Sequence, residues 1–213
     1  MASILVVCTG NICRSPMAEG FLRRALVRKL GARAPGVMSA GTVGWEGSGP
    51  MPEAIEAAAE RSLDISNHVA QRLNAAMIGD ADLVVAMAGE HREAAAELVP
   101  AAASRTYTLK ELVRLLETVD RLMASTGRGP ETDDDVGSSD DVGADLGVRI
   151  AQAHAARTSG GEANPWDEDV VDPLGLPLDT YRAVAWELEG WSDRLVDRLF
   201  GPVPAAVPGE ANG

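Results

Sequence analysis

The feature that most constrains the fold of this chain is the apolar run Ile4–Val7, which leads directly into the glycine-containing loop Cys8–Arg14. A short apolar run that ends at a glycine-containing turn is typical of a buried strand. After the loop, Ser15 and Pro16 suit the N-cap and the first position of a helix, because proline already has a helical φ. The sequence therefore predicts a strand, a tight loop and a helix in direct succession.

The loop between this strand and this helix has the composition of an oxyanion site. Backbone N–H groups of residues 9–14 can converge on one point, toward which the helix from Pro16 directs its positive end. Cys8 lies in the same field, which favours thiolate over thiol and gives a nucleophile near neutral pH. Arg14 can clamp two oxygens of a phosphoryl group with its planar guanidinium. The alternative from the residues alone is that Cys8 and Cys13 are small buried side chains.

Further along the chain, apolar runs alternate with amphipathic segments. The predicted strands after the first are Gly36–Ala40, Asp82–Met87 and Arg105–Leu109. The predicted helices are Pro16–Leu30, Pro52–Arg61, Val69–Ile78, His91–Leu98, Val148–Ala156 and a last helix that begins after Asp179-Thr180 and ends at Gly201-Pro202. Strands that alternate with helices pair in parallel through right-handed crossovers. We therefore expect an α/β fold, a single-domain doubly wound sheet of about four parallel strands with flanking helices. Ligands of such sheets bind beyond the carboxyl ends of the strands, where Cys8 lies.

Composition divides the chain into one domain, an acidic segment and a tail. The length of 213 residues suffices for one sizeable core, which we assign to residues 1–201. Residues 125–147 are rich in Gly, Asp and Ser and almost free of apolar side chains, so we expect an acidic, flexible insertion there. Residues 202–213 are expected to form a flexible tail.

Charge and residue usage narrow the classes of partner and cofactor. The net charge of −13 argues against nucleic acid or an anionic membrane as the main partner. The run Ile4–Val7 is too short for a signal peptide or a membrane span, and two cysteines are too few for a disulfide scaffold. The histidines at 68, 91 and 154 have no metal-ligand spacing, so no metal and no cofactor is expected. We therefore expect a cytoplasmic protein. Because arginine outnumbers lysine 17 to 2, we also expect a bacterial source with a GC-rich genome. No pattern in the sequence indicates an oligomeric state.

Three blocks of the sequence resemble one known family. The loop CTGNICRSP resembles, nearly residue for residue, the active-site loop of the low-molecular-weight protein tyrosine phosphatases and the related arsenate reductases. The block Ser39–Trp45 resembles the family's next strand and substrate-side loop, and Asp172-Pro173 resembles its general-acid loop. The resemblance covers residues 3–110 and 147–200. It implies the low-molecular-weight phosphatase fold and a phosphatase that acts on a phosphorylated protein or a small aryl phosphate.

The resemblance also implies a catalytic set. Cys8 would attack phosphorus and form a phosphocysteine, and Asp172 would protonate the leaving group and then activate water. Arg14 would bind the phosphoryl oxygens together with the loop, whose phosphate-binding residues are Thr9, Gly10, Asn11, Ile12, Cys13, Arg14 and Ser15. From the residues alone, three neighbours rival Asp172 as the acid, because Asp-Pro is also a common turn signal. These rivals are Asp167, Glu168 and Asp169.

Supporting roles follow from the same resemblance. Asn11 would adopt a left-handed conformation that bends the loop, with Ser39 and His68 as hydrogen-bonding supports. Ser15 would donate its hydroxyl proton to the Cys8 sulfur. Apart from the resemblance, we expect Cys8 and Cys13 to form a redox pair, because a loop curled around a phosphate brings its ends together.

The substrate slot departs from the usual family pattern. Trp45 would form one wall, whereas Leu174 and Gly175 stand where tyrosine-selective members usually carry aromatic residues. The main alternative is an arsenate reductase that uses an external low-molecular-weight thiol, since this chain has no cysteine after Cys13. A catalytically silent phosphate-binding module is the third reading, which the presence of the full catalytic set disfavours.

Overall fold

The apolar run near the start of the chain forms a central strand of a four-stranded parallel sheet. The computed structural model describes residues 2–125, 141–160 and 168–201. Its strands are β1 (Ser3–Cys8), β2 (Gly36–Gly41), β3 (Leu83–Ala86) and β4 (Thr106–Thr108), in the sheet order β2-β1-β3-β4. Its helices are α1 (Arg14–Leu30), α2 (Pro52–Ala59), α3 (Ala75–Asp80), α4 (Gly89–Leu98), α5 (Leu109–Ser125), α6 (Val142–Thr158) and α7 (Leu178–Phe200). The predicted α/β class with four parallel strands is confirmed.

Strand β1 has helices on both faces, which explains its unbroken apolar sequence. Ile4 and Val6 pack in a core with α1, α2, α5, α6 and α7, whereas Leu5 and Val7 pack in a second core with α3 and α4. All four side chains are fully buried.

The strand order places a crevice at the carboxyl end of β1. The chain passes from β1 to β2 on one side and later returns to pair β3 on the other side. At such a switch point the loops after the two central strands diverge and leave room for a ligand. The loops that follow β1 and β3 therefore border the candidate site.

Two helix starts differ from the sequence prediction. Helix α1 begins at Arg14 rather than at Pro16, because the Ser15 hydroxyl bonds to the site residues Cys8 and Asn11 and does not cap the helix. The predicted helix Val69–Ile78 is wrong in its first half. Residues 69–72 instead run beside the loops of the site, and α3 begins only after Asn74, whose side chain accepts from the Met77 N–H.

The acidic segment is shorter than predicted at its carboxyl side. Asp141 caps α6 by accepting from the N–H groups of Gly143 and Ala144, and Val142 and Leu146 are buried. The predicted helix start at Val148 is therefore wrong, because the first turns of α6 lie within the proposed insertion 125–147. Residues 126–140 of that insertion and the predicted tail 202–213 lie outside the described residues. Within the described ranges, no helix combines the length and the apolar content that a membrane span needs.

Candidate active site

The loop after β1 is held from outside by the loop after β2. The Thr42 N–H donates to the Cys8 carbonyl at 2.9 Å, and the Trp45 N–H donates to the Gly10 carbonyl at 3.1 Å. The Met51 N–H donates to the Ile12 carbonyl at 2.9 Å. Because these carbonyl oxygens are bonded on the outer side of the loop, the N–H groups of the loop can point into the space that it encloses.

Two glycines in the block Ser39–Trp45 allow this close approach. A Cβ on Gly41 would lie 2.6 Å from the Thr9 carbonyl oxygen, and Gly44, at φ +60°, would place a Cβ 2.5 Å from the Arg72 Cα. No other residue fits at Gly41 without moving the loop that follows Cys8.

Asn11 fixes the bend of the loop. It is fully buried at φ 59°, and its Nδ2 donates to Ser15 Oγ and Ser39 Oγ at 2.8 Å each. Its Oδ1 accepts from the Gln71 N–H at 2.8 Å, and its carbonyl accepts from His68 Nε2 at 3.0 Å. A left-handed asparagine is strained, and these contacts hold it in that conformation.

Glu19 supports the same bend, although the sequence analysis did not identify it. Ser39 Oγ donates to Glu19 Oε2 at 2.6 Å, and His68 Nδ1 lies 3.8 Å from the same oxygen. Glu19 lies one turn of α1 beyond Ser15, so its helical position is the only local signal for this role.

The Cys8 sulfur lies at the carboxyl end of β1 and is 2% exposed. It accepts from the Asn11 N–H at 3.3 Å and lies 2.9 Å from Ser15 Oγ. Because Ser15 Oγ already accepts from Asn11 Nδ2, its own proton is free to point at the sulfur. Two donors thus converge on the sulfur, an arrangement that suits a thiolate.

Arg14 and Asp172 meet beside this loop although they lie 158 residues apart in the sequence. Arg14 Nη2 donates to Asp172 Oδ2 at 2.5 Å and to Thr9 Oγ1 at 3.1 Å, while Nη1 donates to the Val170 carbonyl at 3.2 Å. The Arg14 side chain is 5% exposed and the Asp172 side chain 43% exposed. The carboxylate can therefore contact solvent or substrate while the guanidinium stays inside the loop.

The rivals of Asp172 have other contacts. Asp169 Oδ1 accepts from the Gly89 N–H at 2.8 Å at the start of α4. Glu168 is buried beside Arg114, and burial together with the nearby Glu111 carboxylate raises its pKa. Asp167 lies outside the described residues. Of the two rivals that the structure describes, neither forms a hydrogen bond or an ion pair with Arg14.

The two predicted substrate walls attach to different parts of the site. Trp45 is 47% exposed and is joined to the loop through its backbone bond to Gly10. Leu174 is 41% exposed, and its N–H donates to Asp172 Oδ1 at 3.2 Å. Both side chains are thus available to a substrate, one next to the loop and the other next to the carboxylate.

Cys13 differs from Cys8 in its surroundings. It is 4% exposed, and its Sγ lies 4.0 Å from the Tyr181 hydroxyl. Burial raises the pKa of Cys13 to about 12, so it is a thiol at neutral pH. Neither cysteine forms a disulfide in the structure.

A buried histidine next to the loop was missed by the sequence analysis, which considered it only as a metal ligand. His91 on α4 is 1% exposed, and its Nε2 lies 2.8 Å from Thr9 Oγ1. Burial, helped by the positive charge of Arg14, lowers the pKa of His91 to about 4. Among the described residues, no group of three or more His, Cys, Asp or Glu side chains could hold a metal ion.

Comparison with known proteins gives one consistent family. The family model described as low molecular weight phosphotyrosine protein phosphatase matches residues 3–121. The chain is 39% identical over 112 residues to a probable low molecular weight protein-tyrosine-phosphatase, EpsP, of Ralstonia solanacearum, covering 52% of this chain and 72% of that protein. It is 29% identical over 196 residues to a protein-arginine-phosphatase of Geobacillus stearothermophilus, covering 92% and 95% of the two chains.

Solved structures agree with these sequence matches. The low molecular weight protein tyrosine phosphatase of T. tengcongensis superposes with a TM-score of 0.63 at 30% identity, over 92% of this chain and 99% of that one. A mutant of YwlE from Bacillus subtilis superposes with a TM-score of 0.64 at 27% identity, over 93% and 99%. The similarity in fold thus extends beyond residue 121, where the match to the family model ends.

Proposed function

This chain belongs to the low molecular weight phosphotyrosine protein phosphatase family, and we propose that its phosphatase activity proceeds through a phosphocysteine on Cys8. The observation that carries the proposal is the contact of Arg14 with Asp172 at 2.5 Å, beside the loop that begins at Cys8. It brings a phosphate-binding cation and a proton donor together beside the loop that carries the nucleophile.

In the first step, Cys8 attacks phosphorus in line with the ester oxygen. A sulfur–phosphorus bond forms, the phosphorus–oxygen bond breaks, and Asp172 gives its proton to the departing oxygen. The loop amides and Arg14 bear the charge on the three equatorial oxygens. For this, Arg14 Nη2 exchanges its bond to Asp172 Oδ2 for a phosphoryl oxygen and keeps its bond to Thr9 Oγ1.

In the second step, water attacks the phosphocysteine. Asp172 now accepts a proton from that water, and the sulfur–phosphorus bond breaks to release phosphate. The Ser15 hydroxyl, 2.9 Å from the sulfur, donates to the leaving thiolate and lowers its basicity. Asn11 contributes by holding Ser15 in place through its Nδ2.

We propose an aryl phosphate on a protein, such as phosphotyrosine, as the substrate. The exposed indole of Trp45 can stack on one face of a phenyl ring, and Leu174 offers an aliphatic contact next to Asp172. Phosphoarginine is a second candidate. The match to a protein-arginine-phosphatase extends over 92% of this chain, and the residues directly after Pro173, Leu174 and Gly175, are not aromatic.

Arsenate reduction by an external thiol is the less favoured reading, because the relatives compared above are named as phosphatases. We further propose a bacterial, cytoplasmic enzyme, since both relatives are bacterial and a catalytic thiol needs a reducing compartment. The net charge of −13 also disfavours nucleic acid and anionic membranes as partners.

One panel of substrates tests these proposals. Turnover of para-nitrophenyl phosphate, a phosphotyrosine peptide and a phosphoarginine peptide is compared with thiol-dependent arsenate reduction. We expect the highest kcat/KM on the phosphotyrosine peptide. A higher kcat/KM on the phosphoarginine peptide would select the second candidate, and arsenate reduction without phosphate release would overturn the phosphatase proposal.

A further inference from the structure

The hydrogen bond between Thr9 and His91 has no part in the mechanism above, yet it lies against Arg14. His91 is in the first turn of α4, and its Nε2 lies 2.8 Å from Thr9 Oγ1. The other ring nitrogen, Nδ1, is buried and contacts no hydrogen-bonding partner in the part of the chain that the structure describes.

The surroundings of His91 determine which nitrogen carries the proton. A neutral imidazole has one N–H donor and one acceptor nitrogen. Glu90 Oε1, which can only accept, lies 3.3 Å from Nε2. A proton on Nδ1 would leave a buried N–H unpaired and would turn the lone pair of Nε2 toward the carboxylate. The proton is therefore on Nε2, and His91 donates to Thr9.

This assignment determines the direction of the Thr9 hydroxyl. A hydroxyl oxygen accepts two hydrogen bonds and donates one. Thr9 Oγ1 accepts from His91 Nε2 and from Arg14 Nη2, which is always a donor. Both accepting positions are filled, so the hydroxyl proton points away from His91 and Arg14. The same Arg14 nitrogen also contacts Asp172 Oδ2, so Thr9 Oγ1 lies beside the space where the phosphoryl group is transferred.

We propose that Thr9 is an additional catalytic residue whose hydroxyl donates a hydrogen bond to an oxygen of the bound phosphoryl group. His91 is a positioning residue that keeps the hydroxyl turned toward that oxygen. No proton is transferred in this contact. The inference rests on the proposed roles of Cys8 and Arg14 and adds a preorganised donor where negative charge develops.

The first experiment replaces Thr9 by an isostere. Thr9→Val should lower kcat/KM for para-nitrophenyl phosphate by roughly 10- to 100-fold and raise the inhibition constant of inorganic phosphate, as expected for the loss of one hydrogen bond to a charged group. Thr9→Ser, which keeps the hydroxyl, should stay within about threefold of the wild type. Thr118→Val is the matched control, because the bonds of the Thr118 hydroxyl to described residues lie within α5, to the Arg114 carbonyl and the Arg121 guanidinium.

A second variant separates donation to the substrate from support of Arg14. In an Arg14→Lys background, Thr9→Val should raise the phosphate inhibition constant further, because the hydroxyl contacts the phosphoryl group itself. An unchanged constant in that background would mean that Thr9 acts only through Arg14 and would overturn direct donation.

A double-mutant cycle tests His91. His91→Leu should lower kcat/KM several-fold in the wild type and should have no further effect beside Thr9→Val, since it acts through that hydroxyl. His91→Gln keeps a donor and should retain activity, which provides a second readout if the leucine variant folds poorly. Equal losses of kcat/KM from His91→Leu in the wild type and in the Thr9→Val variant would overturn the positioning role.

The outcome also separates this inference from the proposed function. Wild-type turnover that is lost in Cys8→Ser supports the phosphatase mechanism by itself. If the wild type turns over and Thr9→Val matches it in both kcat/KM and phosphate inhibition, the Thr9 donor is overturned while the mechanism stands. If the wild type does not turn over phosphate esters, the proposed function fails first.

Discussion

At the scale of single residues, the site depends on side chains that each make several bonds. Asn11 bonds through its carbonyl, its Oδ1 and its Nδ2, and Ser15 Oγ joins it to the Cys8 sulfur. Arg14 bonds to Thr9, to Asp172 and to the backbone of Val170. Loss of one partner therefore leaves a buried polar atom unpaired, so substitutions here should affect both stability and rate.

Asp172 is the residue whose proposed role leads to the sharpest kinetic prediction. Asp172→Asn should lower kcat by about 10²–10⁴, the range for a positioned general acid, because an amide cannot protonate the leaving oxygen. The loss should be smaller for esters of acidic phenols, which leave without a proton. Steady-state rates on a series of aryl phosphates measure both effects.

Asp169→Asn is the matched control for this substitution. It keeps an oxygen that can accept from the Gly89 N–H, so its kcat should stay near that of the wild type. Equal losses in Asp172→Asn across leaving groups of different pKa, or a larger loss in Asp169→Asn, would assign the acid to another residue.

Cys13 leads to a redox prediction. Oxidation of the Cys8 thiolate by peroxide gives a sulfenic acid, and attack by the Cys13 sulfur expels water and forms a disulfide. Activity lost to peroxide should return with dithiothreitol in the wild type and return markedly less in Cys13→Ser. Since burial keeps Cys13 protonated, we expect the disulfide to form slowly. Equal recovery in the two proteins would leave Cys13 with a packing role only.

Only part of this site could be predicted from the local sequence. The loop from Cys8 to Arg14 could be predicted, because strand, glycine, arginine and helix start lie within one short segment. The bonds from Asn11 to Gln71 and from Thr9 to His91 span 60 and 82 residues. No periodicity or motif links residues so far apart, and His91 on α4 gave no local signal of its role.

At the scale of elements, helix α5 is absent from the sequence prediction although the sequence contains its start signal. Thr108 and Glu111 form a capping box, in which the Thr108 N–H donates to Glu111 Oε2 at 3.0 Å and the Glu111 N–H donates to Thr108 Oγ1 at 3.2 Å. The sequence contains the spacing Thr-x-x-Glu, but Thr108 is the last residue of β4 and lies within the predicted strand Arg105–Leu109. The start of α6 was placed too late because its first turn is rich in Gly and Asp.

The boundary of α6 gives a prediction about the acidic segment. Replacing residues 126–140 by a short Gly/Ser linker should leave the midpoint of thermal unfolding nearly unchanged, because that sequence has almost no apolar side chain to bury. Extending the deletion to Gly147 removes the fully buried Leu146 and should cost about 2–5 kcal/mol. Calorimetry of both deletions checks this, and equal midpoints would show that the start of α6 does not contribute to the core.

At the scale of the whole molecule, the α/β class and its parallel strands could be predicted better than the site. Buried strands and intervening helices carry strong periodic signals, and parallel pairing leaves few topologies. We propose that residues 1–201 form one domain, since the β1 strand contributes to both hydrophobic cores. We expect affinity for phosphate to be a local property of the loop, set against a net charge of −13.

The stability of the molecule should depend on pH through His91. Its pKa of about 4 in the folded protein lies below the ordinary value of 6.5, so on acidification the unfolded chain takes up the proton first. The contribution of His91 to stability is complete above about pH 6.5 and is lost as the pH falls toward about 4, by up to about 3 kcal/mol. Urea unfolding of the wild type and His91→Gln at several pH values measures the difference. A parallel pH dependence in the two proteins would contradict the burial of a neutral ring.

The proposed mechanism depends on covalent catalysis by Cys8, and a rapid-quench experiment detects the covalent intermediate itself. Enzyme mixed with excess para-nitrophenyl phosphate is quenched during the first turnover, and the peptide that contains Cys8 is examined by mass spectrometry and phosphorus NMR. We predict a sulfur-linked phosphoryl group on Cys8 that forms before steady state and decays with turnover. Cys8→Ser should lose turnover and still bind inorganic phosphate through the loop and Arg14. Near-wild-type turnover in Cys8→Ser, or turnover of the wild type with no phosphoryl group on Cys8, would contradict the mechanism.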